Sequence, residues 1–167
     1  MDILIYESKN FTVEAVAKPH VSREEGGHVK IKPKRYYENR RDLPIDEANE
    51  VMILSMLVGE AMKIAMNKRW IPVLRINYHD MGNWAYKKDE KPYFHIHVYG
   101  RAENAKIQVR PESLQLPDRK TGFYDTFQAL NDEDIMSIQQ EIQVLLSTTY
   151  EACPNLSSTS SPSHRQG

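Results

Sequence analysis

Tyr93-Phe94-His95-Ile96-His97-Val98-Tyr99-Gly100-Arg101 alternates two kinds of side chain with a period of two. Successive side chains of a β-strand point to opposite faces, so the pattern predicts a strand with Phe94, Ile96 and Val98 on one face and Tyr93, His95, His97 and Tyr99 on the other. The first face calls for a hydrophobic core above it. The second sets two imidazoles about 7 Å apart, at a rise of about 3.3 Å per residue, between two phenols, and that is a chemical surface.

Working outward, His28-Val29-Lys30-Ile31-Lys32 shows the same alternation, with His28, Lys30 and Lys32 on one face and Val29 and Ile31 on the other, until Pro33 stops it. Residues 3–6 and 11–16 read as two short strands around the turn Ser8-Lys9-Asn10. The segment 18–27, with Pro19, Gly26 and Gly27, is a polar connection. Between 44 and 70 the period changes to about 3.6, with Val51, Leu54, Val58, Ala61, Met62 and Ala65 on one stripe and Asp46 as the expected N-cap. Met52, Met56, Met62 and Met66 of this helix are read as core filling rather than a binding groove. A strand over 71–77 feeds a polar loop over 78–92. Beyond the histidine strand, 105–110 reads as a further strand and 111–122 as a loop. A second helix runs over 132–150, with the stripe Ile135, Ile138, Ile142 and Leu145 and a capping pair Asn131 and Asp134. The Ser, Thr and Pro of 154–167 read as a disordered tail. This order gives an α+β class: an antiparallel sheet with its helices on one face and the histidines on the other.

Composition narrows the function. The 167 residues are 40% hydrophobic and 27% charged, enough for one compact core. A formal net charge of -1 gives no overall field for nucleic acid or membrane. The single Cys153 excludes an intrachain disulfide and a cysteine-rich zinc module. No run reaches the about 18 apolar residues of a membrane span, and Met1-Asp2 opens with an acid where a signal peptide is basic. The expected location is cytoplasmic.

Two imidazoles in register support two kinds of chemistry. Alternate strand positions can direct both to a metal ion, with His79 or His28 as a third ligand, although no carboxylate partner is evident. Alternatively, one imidazole attacks phosphorus without prior deprotonation, because its ordinary pKa of about 6.5 leaves it largely neutral at pH 7.

With Gly27-His28-Val29-Lys30-Ile31-Lys32-Pro33-Lys34 and Ile76-Asn77 before it, His95-Ile96-His97-Val98-Tyr99-Gly100-Arg101 resembles the histidine triad (HIT) proteins, nucleotide hydrolases and transferases. The likeness runs over about 3–101. Their pattern is His-φ-His-φ-His-φ-φ, and here it has the form Tyr-x-His-x-His. Aligning Gly100-Arg101 with the family's trailing pair puts Tyr93 first, His95 in the middle and His97 third. The resemblance then implies that His95 attacks a nucleotide α-phosphate to give a nucleotidyl-histidine, with His97 as its catalytic partner. A shifted register, with His95 first, His97 as nucleophile and Tyr99 third, is similar to the sugar-phosphate uridylyltransferase branch. Substrate-binding roles are implied for Asn77, near the phosphate, for the upstream His28 and for Tyr93.

The Gly-Gln-Ser/Thr-type loop of the hydrolase branches is replaced by residues 80–91, whose Trp84, Tyr86, Lys87, Lys88 and Lys91 are candidates for base stacking and phosphate binding. The resemblance implies a HIT-like domain over 1–152 (core 1–110, helical extension 111–152) followed by a tail from 153. It implies a nucleotide or dinucleotide substrate, such as a dinucleoside polyphosphate or a nucleoside phosphoramidate, and a homodimer joined across an edge strand. It requires no cofactor or resident metal, though a divalent metal can accompany the substrate phosphates. A protein of this fold that binds a nucleotide or a metal without turnover is the alternative.

Overall fold

The computed structural model describes residues 1–80 and 82–156. In chain order the strands and helices are β1 Ile3–Glu7, β2 Phe11–Ala15, β3 His28–Pro33, α1 Ile45–Lys68, β4 Val73–His79, β5 Ile96–Ala102 and α2 Asp132–Thr148. The strands form one antiparallel sheet in the order β1-β2-β3-β5-β4. Strands β3 and β5, far apart in sequence, therefore lie side by side, with His28 opposite Tyr99 and Lys30 opposite His97.

One hydrophobic cluster joins the apolar sheet face, including Val29, Ile31, Ile96 and Val98, to Leu54, Val58 and Met62 of α1 and Ile138 and Ile142 of α2. Both helices thus cover the same face, as the α+β reading expects. The Asn131–Asp134 capping box opens α2, where a side-chain oxygen satisfies one of the N–H groups that the first turn leaves without a partner. No helix among the described residues is long and apolar enough to cross a membrane.

Several local expectations need correction. Asp46 does not cap α1: the helix starts at Ile45 behind Pro44, and Asp46 lies in the first turn, where its charge still complements the helix dipole. Met62 and Met66 fill the core, but Met52 and Met56 are exposed. Residues 105–110 form no strand. The backbone N–H groups of Lys106, Ile107 and Gln108 instead donate to the buried Glu25 carboxylate at 2.7, 2.7 and 2.9 Å. One side chain thereby provides what a neighbouring strand would otherwise provide.

Strand β5 begins at Ile96 rather than Tyr93, because Ile31–Ile96 is the last pair of the β3–β5 ladder. Helix α2 ends two residues before the expected 150. Of the expected tail, Pro154–Leu156 form a short 3-10 turn with Leu156 buried and its carbonyl accepting from the Tyr6 hydroxyl. The remainder, 157–167, lies outside the described residues.

Candidate active site

The other face of the sheet carries His28 from β3 and His97 and Tyr99 from β5, with His95 just before that strand. A fifth residue joins from outside the sheet. His20 belongs to the segment between β2 and β3, which reverses at Gly26 and Gly27, both at positive φ, so that residue 20 folds back over residue 28. Its ring stacks on His28 with centroids 5.0 Å apart, and its Nδ1 lies 2.9 Å from the Tyr99 hydroxyl. Sequence reading passes over His20 because a histidine in a polar connection has no periodicity to place it.

The rings make a directed chain of hydrogen bonds. His20 N–H donates to His28 Nδ1 at 3.1 Å. His28 Nε2 then meets His97 Nδ1 at 2.8 Å, His97 Nε2 meets His95 Nε2 at 3.0 Å, and His95 Nδ1 meets the Tyr93 carbonyl at 2.9 Å.

Only one assignment of protons satisfies all four contacts with neutral rings. A backbone N–H can only donate, so His28 Nδ1 is bare and its proton sits on Nε2, where it donates to His97 Nδ1. His97 must then carry its proton on Nε2 and donate to His95 Nε2. His95 must carry its own on Nδ1 and donate to a carbonyl, which can only accept. An obligate donor at one end and an obligate acceptor at the other agree across three imidazoles. The chain leaves His95 Nε2 unprotonated, its lone pair accepting from His97 Nε2–H beside the cleft. Tyr93 lies beyond the last ladder pair of β5, and its carbonyl serves the imidazole.

Electrostatics favour the neutral rings. Burial, together with the neighbouring His95 and His20, pushes the His97 imidazole down to about 2. Burial and the Arg119 guanidinium push His20 down to about 4. Burial and His97 hold His28 well below its ordinary value. His95 is also lowered by burial, which outweighs the opposing effect of its bond to the Tyr93 carbonyl. Burial raises the Tyr99 phenol.

These rings open onto a cleft of about 490 Å³. Its lining includes His20, His28, His95 and His97, with Lys30, Tyr93, Trp84 and Arg119 around them. Lys30, paired with Asp2 at 2.7 Å, stands opposite His97 in the ladder. Tyr93 is half-exposed, and its ring packs against His95 at 4.5 Å between centroids. Of the residues singled out in the sequence, His28, His95, His97 and Tyr93 therefore meet in one place. Asn77 does not reach the cleft lining: it pairs with Tyr99 across β4 and β5, and its side-chain oxygen accepts from Arg101 at 2.8 Å. His79 lies opposite His97 in the ladder, edge-on to Tyr99 at 5.3 Å.

His20, His28 and His97 each bring a ring nitrogen within 4.8 Å of the other two, a spacing a metal ion could bridge. The donor set argues against it. The His20 amide holds the His28 proton on Nε2, the atom that would have to ligate, so binding an ion there would break the link from His28 to His97.

The same fold recurs in solved structures of histidine triad proteins. A HIT protein from Sinorhizobium meliloti superposes with a TM-score of 0.60 at 15% identity, covering 86% of this chain and 88% of that one. A hypothetical histidine triad nucleotide-binding protein from Sulfolobus tokodaii gives 0.56 at 17%, with 87% of each chain covered. A zinc-bound histidine triad family protein from Mycobacterium smegmatis gives 0.56 at 17%, with 88% of each covered. No family model matches the chain, and no curated protein matches it in sequence. The architecture is that of the histidine triad proteins.

Proposed function

We propose that this protein is a nucleotide phosphohydrolase or nucleotidyltransferase in which His95 attacks the α-phosphate. The observation that carries the reading is the hydrogen-bond chain from the His20 amide to the Tyr93 carbonyl, which leaves His95 Nε2 unprotonated and faces it with the Nε2–H of His97. When a phosphate enters, His97 Nε2–H turns from His95 to a nonbridging oxygen and stabilises charge there. The His95 lone pair forms a nitrogen–phosphorus bond as the bond from phosphorus to the leaving group breaks, and the electron pair departs with the leaving group. Water or another acceptor then attacks phosphorus, the nitrogen–phosphorus bond breaks, and its pair returns to Nε2. The acceptor's proton is released to solvent.

This register makes His95 the nucleophile. In the shifted register His97 Nδ1 would need a backbone carbonyl to fix its tautomer, and that nitrogen is engaged by His28. The names of the structural neighbours, one of them nucleotide-binding, are in keeping with a nucleotide substrate. No resident cofactor is required, and a divalent metal ion would arrive with the substrate phosphates.

A homodimer joined through the β4 edge is part of the same proposal. It is supported by exposed Leu74 and Tyr78 on that strand beside exposed Met56 on α1. Leu74→Lys should then halve the mass seen by sedimentation.

The enzyme reading is tested by mixing the protein with a panel of nucleotides and dinucleotides, following intact-protein mass and released products for wild type, His95→Ala and His97→Ala. An adduct or turnover abolished by His95→Ala supports it. Loss through His97→Ala alone would favour the shifted register, and binding with neither adduct nor product would favour a non-catalytic nucleotide-binding protein.

A further inference from the structure

Arg119 has no part in the chemistry above, yet it reaches the same cleft from a loop outside the sheet. It opens the short turn Arg119–Thr121, capped by Asp118. Its guanidinium lies 4.9 Å over the Tyr124 ring and 6.0 Å from the Trp84 ring, and one Nη donates to the Lys18 carbonyl at 2.7 Å. Three groups from three different segments therefore hold it in place.

What it lacks is a counter-charge. Asp118, the adjacent acid, is turned to Lys87 Nζ at 2.7 Å and to the Lys120 amide at 3.0 Å. Among the described residues no carboxylate lies within ion-pair distance of Arg119, whereas Lys30, the other cation close to the histidines, is paired with Asp2. The rings against Arg119 are those of Trp84 and Tyr124, both packed on His20, and Lys87 Nζ, paired with Asp118, stands 5.1 Å from the Trp84 ring. A guanidinium offers five N–H donors in a planar fork that fits phosphate. One of those donors is used here, and the aromatic rings fix the plane in advance.

We propose that Arg119 binds a second phosphate group of the substrate, distinct from the phosphate that His95 attacks. The inference rests on the nucleotide reading of the cleft. Arg119 sits at the His20 end, with the rings of His20 and His97 between it and His95. Such a phosphate belongs either further along a polyphosphate chain or on the ribose. A nucleoside monophosphate has nothing to give Arg119.

The test measures Kd by calorimetry for three ligands of the same nucleoside: the 5′-monophosphate, the 5′-triphosphate and the 3′,5′-bisphosphate. It is done in the His95→Ala background, to prevent turnover, with and without Arg119→Ala and Arg119→Lys. The expected result is that Arg119→Ala weakens the triphosphate or the bisphosphate about 10- to 100-fold, the worth of charge-assisted hydrogen bonds, with the monophosphate changed by less than about twofold and Arg119→Lys intermediate. Loss confined to the triphosphate assigns the phosphate to the chain, and loss confined to the bisphosphate assigns it to the ribose. Equal loss for all three would show that Arg119 only holds the loop, and no loss for any would also overturn the proposal. The nucleotide reading fails separately: none of the ligands binds, and wild type forms no adduct.

Discussion

At the scale of single residues the account turns on which nitrogen carries each proton. Nitrogen-15 spectroscopy of the imidazoles should find His95 in the Nδ1–H form and His28 and His97 in the Nε2–H form, all neutral at pH 7. Any other tautomer at His95 would contradict the chain. His28→Leu removes the donor that fixes His97 and should lower kcat/KM by about 10- to 100-fold, the range for groups that orient a reacting imidazole. An unchanged rate would show that His28 is packing alone.

Because burial lowers the His95 imidazole below its ordinary value, the proposed nucleophile stays neutral into mildly acid solution. The acid limb of kcat/KM against pH should therefore lie below 6.5, and a limb above 6.5 would contradict the burial argument. The period-two pattern suffices to put His95 and His97 on one face. It cannot place His20, because the contact that matters comes from a chain reversal at two glycines and uses a backbone amide. Nor can it release Asn77 from the cleft, since Arg101 claims its side chain from the neighbouring strand.

Among the elements, the junction of β5 with the segment before β3 is the tightest. A Cβ at Gly100 would fall inside contact distance of the Gly26 carbonyl, and every atom it would meet there is backbone. Gly100→Ala should cost about 2 kcal/mol or more, read from the denaturation midpoint, and a neutral effect would show that the segment can shift. A second tie is Asp134, whose side chain is fully buried and receives Arg23 Nε and Arg69 Nε, each at 2.7 Å, while capping α2. It fastens the loop that carries His20 to both helices. Asp134→Ala should lose about 3 kcal/mol, the scale for breaking a buried ion pair. Both helices and most strand positions are legible from periodicity and capping residues. The strand expected over 105–110 is misread because its amides are claimed by a single carboxylate, Glu25, some eighty residues earlier in the chain.

For the whole molecule, four histidines held neutral make folding sensitive to acid. In the unfolded chain each titrates near 6.5, whereas in the folded chain His97 titrates at about 2 and His20 at about 4, with His28 and His95 also lowered. Below pH 6.5 the unfolded state therefore binds protons that the folded state refuses. Stability is complete above about 6.5 and is lost as pH falls toward the folded values, at about 1.4 kcal/mol per pH unit for each proton of difference. Urea midpoints at pH 7.5 and 5 should show the loss, and His20→Phe should reduce it. A midpoint that does not fall over this range would mean that the rings accept protons in the folded state.

The face that carries the site follows from alternation, and the α+β class from the order of alternating strands and helical stripes. The parts supplied by the later chain, Arg119 in the cleft with Tyr124 against its guanidinium, and Leu156 in the core, do not, because they depend on where long loops land. The claim beneath all of this is that His95 makes the bond to phosphorus. It is tested most directly by quenching wild-type protein during turnover and locating the nucleotidyl group by peptide mass mapping. The account predicts a single modified imidazole, at His95. Modification at His97, or turnover with no modified histidine at any quench time, would contradict it.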